Sequence, residues 1–478
     1  MLLSLSSEIH GQLGNMWTQQ VGIEGTLTSG ALLAAERNNA GIYYNPASLS
    51  SDSIGSLAIN TAALRSQFLW YKNAFGPNTQ MNRSTASFES PFLSVMIPSK
   101  NKLGFKIGAA TFSRYNVNYN IFERIVVRNP FPELDHFKGD YEGVFQYSVR
   151  SQEQWILFST SRKINEKFAF GASYILAVRS FDYKLEERTK YTFIETSDAP
   201  TISSEFNNAT IANLSDFKGI LKLGAIFEVE PGLRLGFSLT TPSFSILSFA
   251  RNYRTLNQTN ISDLFDDSAN PSYDDFVISN NYDKLKGHFK TPFSVAFGIS
   301  YDRPKSTWSF AAEYYHAIAR YPLIDGADYT DNLINTTVNF NNTTFLDLVY
   351  AQRSIINFAI GYGGYLKKNL MLLAGFRTNF STTNKLNSPV EDQFLKVFDL
   401  GINQLHVSGG LSFNFKNNHF TLGADLGFNY SANDVVIINF SNPELINSQG
   451  IPLRGEIEPI MTTTALGLGV ILGYSLSF

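Results

Sequence analysis

"PIMTTTALGLGVILGYSLSF", residues 459–478, holds no charged side chain, and its 20 residues suffice to span a bilayer as a helix. The pattern argues for a strand instead. Leu466, Leu468, Val470, Leu472, Tyr474, Leu476 and Phe478 are apolar at every second position, and Gly467, Gly469, Gly473, Ser475 and Ser477 fill most of the gaps. That is a period of 2, and each glycine would cost a helix interior roughly 1 kcal/mol. A strand with one greasy face and one small face fits a transmembrane β-barrel, where every second residue meets lipid.

The same alternation recurs upstream. Leu233, Leu235, Phe237 and Leu239 alternate with Arg234, Gly236, Ser238 and Thr240; Phe293, Val295, Phe297 and Ile299 alternate with Ser294, Ala296, Gly298 and Ser300. Ile356, Phe358, Ile360 and Tyr362 repeat the pattern, as do Phe420, Leu422, Leu426 and Phe428. The second face is Gly, Ser, Thr and Asn rather than Lys and Glu, which suits a lumen better than open water. The spacing predicts fourteen strands, near 54–71, 85–98, 102–120, 143–163, 167–190, 217–230, 232–248, 287–303, 306–320, 351–367, 369–381, 402–416, 418–432 and 461–478. Short turns fall at Ser99-Lys100-Asn101, Ile164-Asn165-Glu166, Glu230-Pro231, Arg303-Pro304-Lys305, Lys367-Lys368 and Lys416-Asn417-Asn418. Long polar segments fall between, at 72–84, 121–142, 191–216, 249–286, 321–350, 382–401 and 433–460. Short turns on one side and long loops on the other is the layout of bacterial outer-membrane barrels, with the turns periplasmic. An even strand count places both chain ends on the turn side.

Composition agrees. Charged residues are 17% and aromatic residues 14% of the chain, while mean hydropathy is near zero, too polar for a helical membrane protein. A net charge of −3 gives no reason to expect nucleic acid. The absence of cysteine removes thiol catalysis, Cys-ligated zinc and disulfides. The six histidines form no HExxH pair, and no Walker A motif or nucleophile elbow is present, so neither an enzyme nor a cofactor is expected. The loop "DLFDDSANPSYDD", 263–275, clusters five aspartates without EF-hand spacing and reads as a solvated loop, so no metal is expected.

Residues 1–11 read as the remnant of a signal peptide or a disordered start, 12–52 as a small unit of their own, and 53–478 as the barrel. In the small unit, Thr28-Ser29 are placed to cap a helix through Ala31–Arg37, with Gly41 beyond its end. Asn45-Pro46 makes a turn. Such a segment cannot join a barrel wall, and Leu32, Leu33, Ile42, Tyr43, Tyr44 and Leu49 favour folding into the lumen as a plug.

"GALLAAERNNAGIYYNPASLSS", 30–51, resembles the N-terminal hatch of the FadL-like channels, whose hallmark is an Asn-Pro-Ala motif, here Asn45, Pro46 and Ala47. "LKLGAIFEVEPGLRLGFSLTTPSFSI" (221–246), "TPFSVAFGISYDRPKSTWSFAAEYY" (291–315) and "NFAIGYGGYLKKNLMLLAGFRTNFS" (357–381) are similar to that family's hairpins. The resemblance implies a 14-stranded antiparallel transmembrane β-barrel with a plug, passing hydrophobic small molecules such as long-chain fatty acids across the outer membrane. It also implies lateral release through a wall gap beside a kinked third strand. In "LGFKIGAATFSRYNVNYN" (103–120), Gly104 and Gly108 would permit such a kink. Lys106, Arg114 and Arg234 occupy lumen positions where they could meet a fatty-acid carboxylate or pair with wall acids such as Glu228, Glu313 or Asp425. Tyr474 and the terminal Phe478 resemble the C-terminal signal read by the outer-membrane assembly machinery. With no energy-coupling motif, passage is expected to be passive, and burial of about 0.8 kcal/mol per CH₂ would hold an acyl chain without specific polar contacts. The rival expectation is an adaptor or subunit of an outer-membrane protein complex, docking through long loops such as 332–350.

Overall fold

The alternating segments pair edge to edge in the computed structural model, which describes residues 13–35, 39–51, 55–87, 91–97, 104–132, 134, 138–194, 201–261, 264, 275–326, 344–383, 395–397, 399–448 and 450–478. Fourteen antiparallel wall strands result. They are β1 (Ser56–Lys72), β2 (Gln80–Ser87 and Phe92–Ile97), β3 (Phe105–Arg128), β4 (Gly139–Lys163), β5 (Phe168–Ile194), β6 (Thr201–Glu230) and β7 (Leu233–Thr240 and Phe244–Thr259). There follow β8 (Phe276–Gly287 and Ser294–Arg303), β9 (Ser306–Tyr315 and Ile318–Asp325), β10 (Leu348–Gln352 and Ile355–Lys367), β11 (Leu370–Asn379), β12 (Gln404–Phe415), β13 (Asn418–Asp434) and β14 (Met461–Ser477). β14 pairs back onto β1 from Ser56↔Ser477 to Lys72↔Thr462, so the cylinder closes. Closure removes the sheet edges that lipid could not hydrogen-bond.

The apolar parity faces out. Ile107, Phe158, Phe237, Ile360, Leu422 and Leu472 are exposed, and together with their neighbours they form the belt a bilayer would cover. Inward positions carry Gly, Ser and Thr or fit into a packed interior. The predicted strand count and the described short turns match. The long polar segments do not all stay loops. Much of 121–142, 191–216 and 249–286 is strand, so β3 to β6 run for 24 to 30 residues. Above the membrane the outer face meets water, and its residues become polar while Tyr141, Phe145, Tyr147 and Val149 still point in. Period 2 persists there with polar residues on the outside.

The described N-terminal residues lie against the inner faces of the wall strands. Their helices are α1 (Ile23–Leu27) and α2 (Gly41–Tyr44), followed by a 3₁₀ turn at Pro46–Ser51. The predicted helix over 31–37 is absent from its described part, 31–35, which is irregular. Thr28 instead ends α1, and Ser29 (φ 54°) and Gly30 (φ 86°) take the left-handed conformation that terminates a helix rather than starting one. Residues 1–12, with the predicted signal remnant, lie outside the described residues, as do 265–274 of the aspartate-rich loop and 332–343 of the docking loop.

Candidate functional site

Among the glycines that face each other across neighbouring strands, four pairs lie under the N-terminal segment: Gly171↔Gly224, Gly236↔Gly298, Gly361↔Gly375 and Gly410↔Gly423. A Cβ at Gly171 would lie 2.5 Å from the Pro46 carbonyl carbon and 2.6 Å from the Ala47 nitrogen, and one at Gly224 would strike Asn45. The next two pairs carry Leu33 with Ala34, and Thr28 with Ser29; the last carries Leu27. Glycine is needed at Gly171, Gly236 and Gly375 because main chain rests directly on main chain, and at Gly224, Gly410 and Gly423 because the Asn45 and Leu27 side chains fill the space.

The Asn45-Pro46-Ala47 turn is fixed at its first residue. Asn45 is fully buried; its Nδ2 donates to the Leu33 carbonyl at 2.8 Å and to the Ala225 carbonyl of β6 at 3.1 Å, and its Oδ1 accepts from the Ala47 amide at 3.1 Å. One side chain thus ties the turn to itself, to the preceding loop and to the wall. Leu32, Leu33, Ile42, Tyr43, Tyr44 and Leu49 are buried in one cluster with wall residues including Phe112, Trp155 and Ile175.

Above this cluster is a cavity bordered by Arg114, Arg179, Lys222, Lys290, Glu153 and Glu313. Glu153 is neutralised by Lys218 Nζ at 2.8 Å and Arg179 Nη1 at 3.3 Å. Glu313 accepts from the Trp17 indole at 2.9 Å, from the Tyr315 hydroxyl at 2.7 Å and from Ser294. Arg114 donates through Nη2 to the Met16 carbonyl, but its Nε and Nη1 are buried without a hydrogen-bond partner. Its guanidinium lies 5.1 Å from the Tyr115 ring centre and 5.4 Å from that of Trp155, and Lys222 Nζ lies 5.1 Å from that of Tyr43. The cavity therefore has cationic donors to spare beside aromatic walls.

Arg114 owes its position to a bulge. The β3–β4 register slips between Ser113 and Tyr115, which re-aims the intervening side chain. The same region borders a break in the wall. β2 and β3 pair from Ile97↔Ile107 to Leu93↔Thr111 and no further. Beyond that, Gln80–Ser87 pairs only with β1, and no backbone pairing joins it to Phe112–Arg128 among the described residues. Arg83 reaches across, to the Phe122 carbonyl at 3.2 Å and Glu123 at 3.1 Å.

Of the predicted site residues, only Arg114 borders the cavity. Gly108 lies in unbroken pairing, opposite Met96 and Ser159, and packs on Ile42 of α2. Gly104 precedes β3 with φ 69°. The irregularity of the third strand thus falls five to ten residues after the two glycines. Lys106 shares the face of Gly108 at the turn end. Arg234 is tied to the Ala34 carbonyl at 3.2 Å and to Asp302 at 2.6 Å, while Asp425 pairs with Arg377 at 2.8 Å. Tyr474 donates to Asn418 at 2.7 Å, and the Phe478 amide donates to the Gly55 carbonyl at 2.8 Å beside the start of β1. Sequence reading missed Lys222 and Arg179. The signal was present for Lys222, a charge at inward parity between two lipid-facing leucines, Leu221 and Leu223.

A crystal structure of a Pseudomonas aeruginosa FadL homologue superposes with a TM-score of 0.58 at 12% identity, covering 97% of this chain and 99% of that one. The fold is that of the FadL-like channels. The Pseudomonas putida toluene transporter TodX gives 0.53 at 13% identity over 97% and 99% of the two chains. The Ralstonia pickettii toluene transporter TbuX gives 0.50 at 12% over 96% and 98%. No protein-family model and no curated protein matches the sequence.

Proposed function

We propose that the protein is an outer-membrane channel for passive entry of small hydrophobic molecules, with the N-terminal segment as its plug and the β2–β3 break as a side exit. The observation that carries this reading is the adjacency of three things: an unpaired wall edge, a bulge, and a cavity that the bulged Arg114 borders. A molecule with an acyl or aryl body and an anionic head suits that cavity. Tyr43, Tyr115 and Trp155 would take the body, and Arg114 with Lys222 would take the head, a charge-assisted contact. Movement of Met16–Trp17, which touch Arg114 and Glu313, would open the way toward the gap. The similar toluene transporters TodX and TbuX and the monoaromatic hydrocarbon channel CymD support the hydrophobic class.

Purified protein in outer-membrane-like proteoliposomes should accelerate uptake of a labelled long-chain fatty acid. Arg114→Met with Lys222→Met should reduce fatty-acid uptake about tenfold or more while leaving a neutral aromatic hydrocarbon within about twofold, as expected for losing one charge-assisted contact. A disulfide staple across the break should block both. Uptake equal to that of empty vesicles, with partner proteins co-purifying, would favour an adaptor instead.

A further inference from the structure

On the far side of the barrel the wall is broken a second time, between β7 and β8. The two strands pair up to Thr240↔Ser294 and resume at Ala250↔Leu285. Between these points Phe244–Phe249 pairs only with β6 and Lys286 and Gly287 pair with β9, while a single main-chain bond among the described residues, from the Ser243 amide to the Thr291 carbonyl at 3.3 Å, crosses the gap. Three polar side chains from three strands meet in this break. His288 Nδ1 lies 2.9 Å from Asp216 Oδ2, and its other nitrogen, Nε2, lies 3.5 Å from Ser243 Oγ. Asp216 is fully buried and saturated: Oδ2 also accepts from the Phe289 amide at 2.9 Å, and Oδ1 accepts from the Ser245 hydroxyl at 3.0 Å. Ser243 Oγ accepts from the Thr291 amide at 2.9 Å, which leaves its proton directed to His288. Ser243 is half-buried and the His288 side chain is 22% exposed, so both are reachable. Phe244, Ile246, Leu247 and Phe249 flank them, each at least half exposed on the lipid-facing side.

We propose that Ser243, His288 and Asp216 form an acyl-ester hydrolase site, a second activity beside transport, acting on carboxylic esters of long acyl chains. The order of contacts is that of a nucleophile, a base and a group that orients the base. A buried carboxylate on Nδ1 fixes the tautomer that leaves Nε2 free to accept, and 3.5 Å is the loose serine–histidine spacing of a resting site. Ser243 Oγ attacks the ester carbonyl carbon as its proton passes to His288 Nε2. The Thr291 amide, already on Oγ, is the donor nearest the developing oxyanion. The carbon–oxygen bond to the alcohol breaks, and the alcohol leaves with the proton from His288. Water then attacks the acyl-serine, gives its proton to Nε2, and releases the carboxylic acid as Oγ is reprotonated. The four exposed apolar side chains assign the substrate: an acyl chain lying on them reaches the break from the bilayer. Ser243 and His288 are the catalytic residues, and Asp216 is a positioning residue.

A long-chain alkyl fluorophosphonate tests the site on the intact, detergent-solubilised protein. Mass spectrometry should find the adduct on Ser243. Labelling should vanish in Ser243→Ala and slow about 10²-fold in His288→Gln, with heat-modifiable gel mobility retained. A short-chain fluorophosphonate should label more slowly, and p-nitrophenyl palmitate and a phospholipid in mixed micelles should report whether free or membrane esters are taken. Because the natural chain has no cysteine, Ser243→Cys adds one thiol whose reactivity can be read without any substrate. Its alkylation at neutral pH should outrun that of Ser248→Cys on the same strand by about tenfold or more, and the excess should disappear with His288→Gln. Asp216→Asn should slow both labelling and alkylation without changing gel mobility. No adduct, an adduct that survives Ser243→Ala, or equal alkylation of the two cysteines would overturn the proposal while leaving the uptake experiment unaffected.

Discussion

Two stretches of irregular chain pack against inward-facing wall residues, and they are held by different means. The N-terminal segment rests on the glycine pairs with its own main chain, and Asn45 is its polar anchor. The β13–β14 connection comes in from the loop end and is held by large side chains together with main-chain hydrogen bonds, from the Ile437 amide to the Ala74 carbonyl at 2.8 Å and from the Phe440 amide to the Phe75 carbonyl at 3.1 Å. Phe440 stacks on Phe75 with centroids 6.4 Å apart, Phe75 meets Phe145 at 5.6 Å, and Arg454 and Glu187 form a fully buried ion pair at 3.1 Å. A backbone seated on glycines has one register and little give, because any added methyl group collides. A loop whose innermost part, Arg454, depends on one buried ion pair can loosen there once that pair is broken, while Ile437 and Phe440 stay bonded to the Ala74 and Phe75 carbonyls. The contrast predicts that the loop fails by losing a partner and the segment fails by being displaced.

The largest effect is expected at the loop. Glu187→Leu leaves the Arg454 guanidinium buried and uncompensated, at a cost of about 3–5 kcal/mol. Limited proteolysis should then cut within 435–460 at temperatures where the wall stays folded, and adding Arg454→Met should restore most of the protection. Gly224→Val comes next. Its side chain would occupy the position of Asn45, and overpacking of about 1–3 kcal/mol should unseat the segment. Planar-bilayer recordings should show larger and more frequent openings, whereas Glu187→Leu alone should not reproduce them.

Asn45→Ala removes the donor shared by the Leu33 and Ala225 carbonyls, for about 1–3 kcal/mol in thermal unfolding. Combined with Gly224→Ala it should be non-additive by about 0.5–3 kcal/mol, since both changes act on one contact. Strict additivity would show that the segment is not seated where the glycines meet it.

The smallest effect is a pH dependence at the start of the segment. Asp399, in the β11–β12 connection, accepts from the Gly14 amide at 2.9 Å and from Thr383 Oγ1 at 2.6 Å, and burial pushes its carboxyl above the usual aspartate range. The folded state therefore favours the protonated form. Its contribution is fully present below the unfolded aspartate value of about 4 and is lost as pH rises through the raised folded value. Protease protection of residues near Gly14 should be greater at mildly acidic pH than at neutral pH, and Asp399→Asn should flatten the difference.

The wall was legible because lipid imposes a strict rule on every second residue, as in Leu466, Leu468 and Leu472. Where lipid ends the rule relaxes. Residues 121–142 read as loop because many of their outer positions are polar, although Tyr141 keeps the inward beat that Phe145 and Tyr147 continue in the predicted strand. The helix over 31–37 looked plausible from its composition, but so short a helix has little stability of its own. Packing over Gly236 and Gly361 decided the path instead. The parity of Arg114 is legible in the sequence, yet the bulge that holds it beside the cavity is not. A bulge is a one-residue slip between two strands, and it leaves no mark on either strand alone. The two wall breaks were hidden for the same reason, as was the meeting of Ser243, His288 and Asp216.

The unequal heights of the strands shape how solutes arrive. β6, at 30 residues, is roughly 100 Å long, or about 75 Å tall once tilted near 40°, while the 10 residues of β11 reach only about 25 Å upright. The apolar band is itself about 25 Å tall. On one flank of the cylinder the wall strands therefore stand well above the apolar band, while β11 on the opposite flank ends close to it. A solute coming from the long-strand end meets a tall wall on one bearing and a low one on the other, so the direction of approach is built into the architecture before any binding pocket is reached.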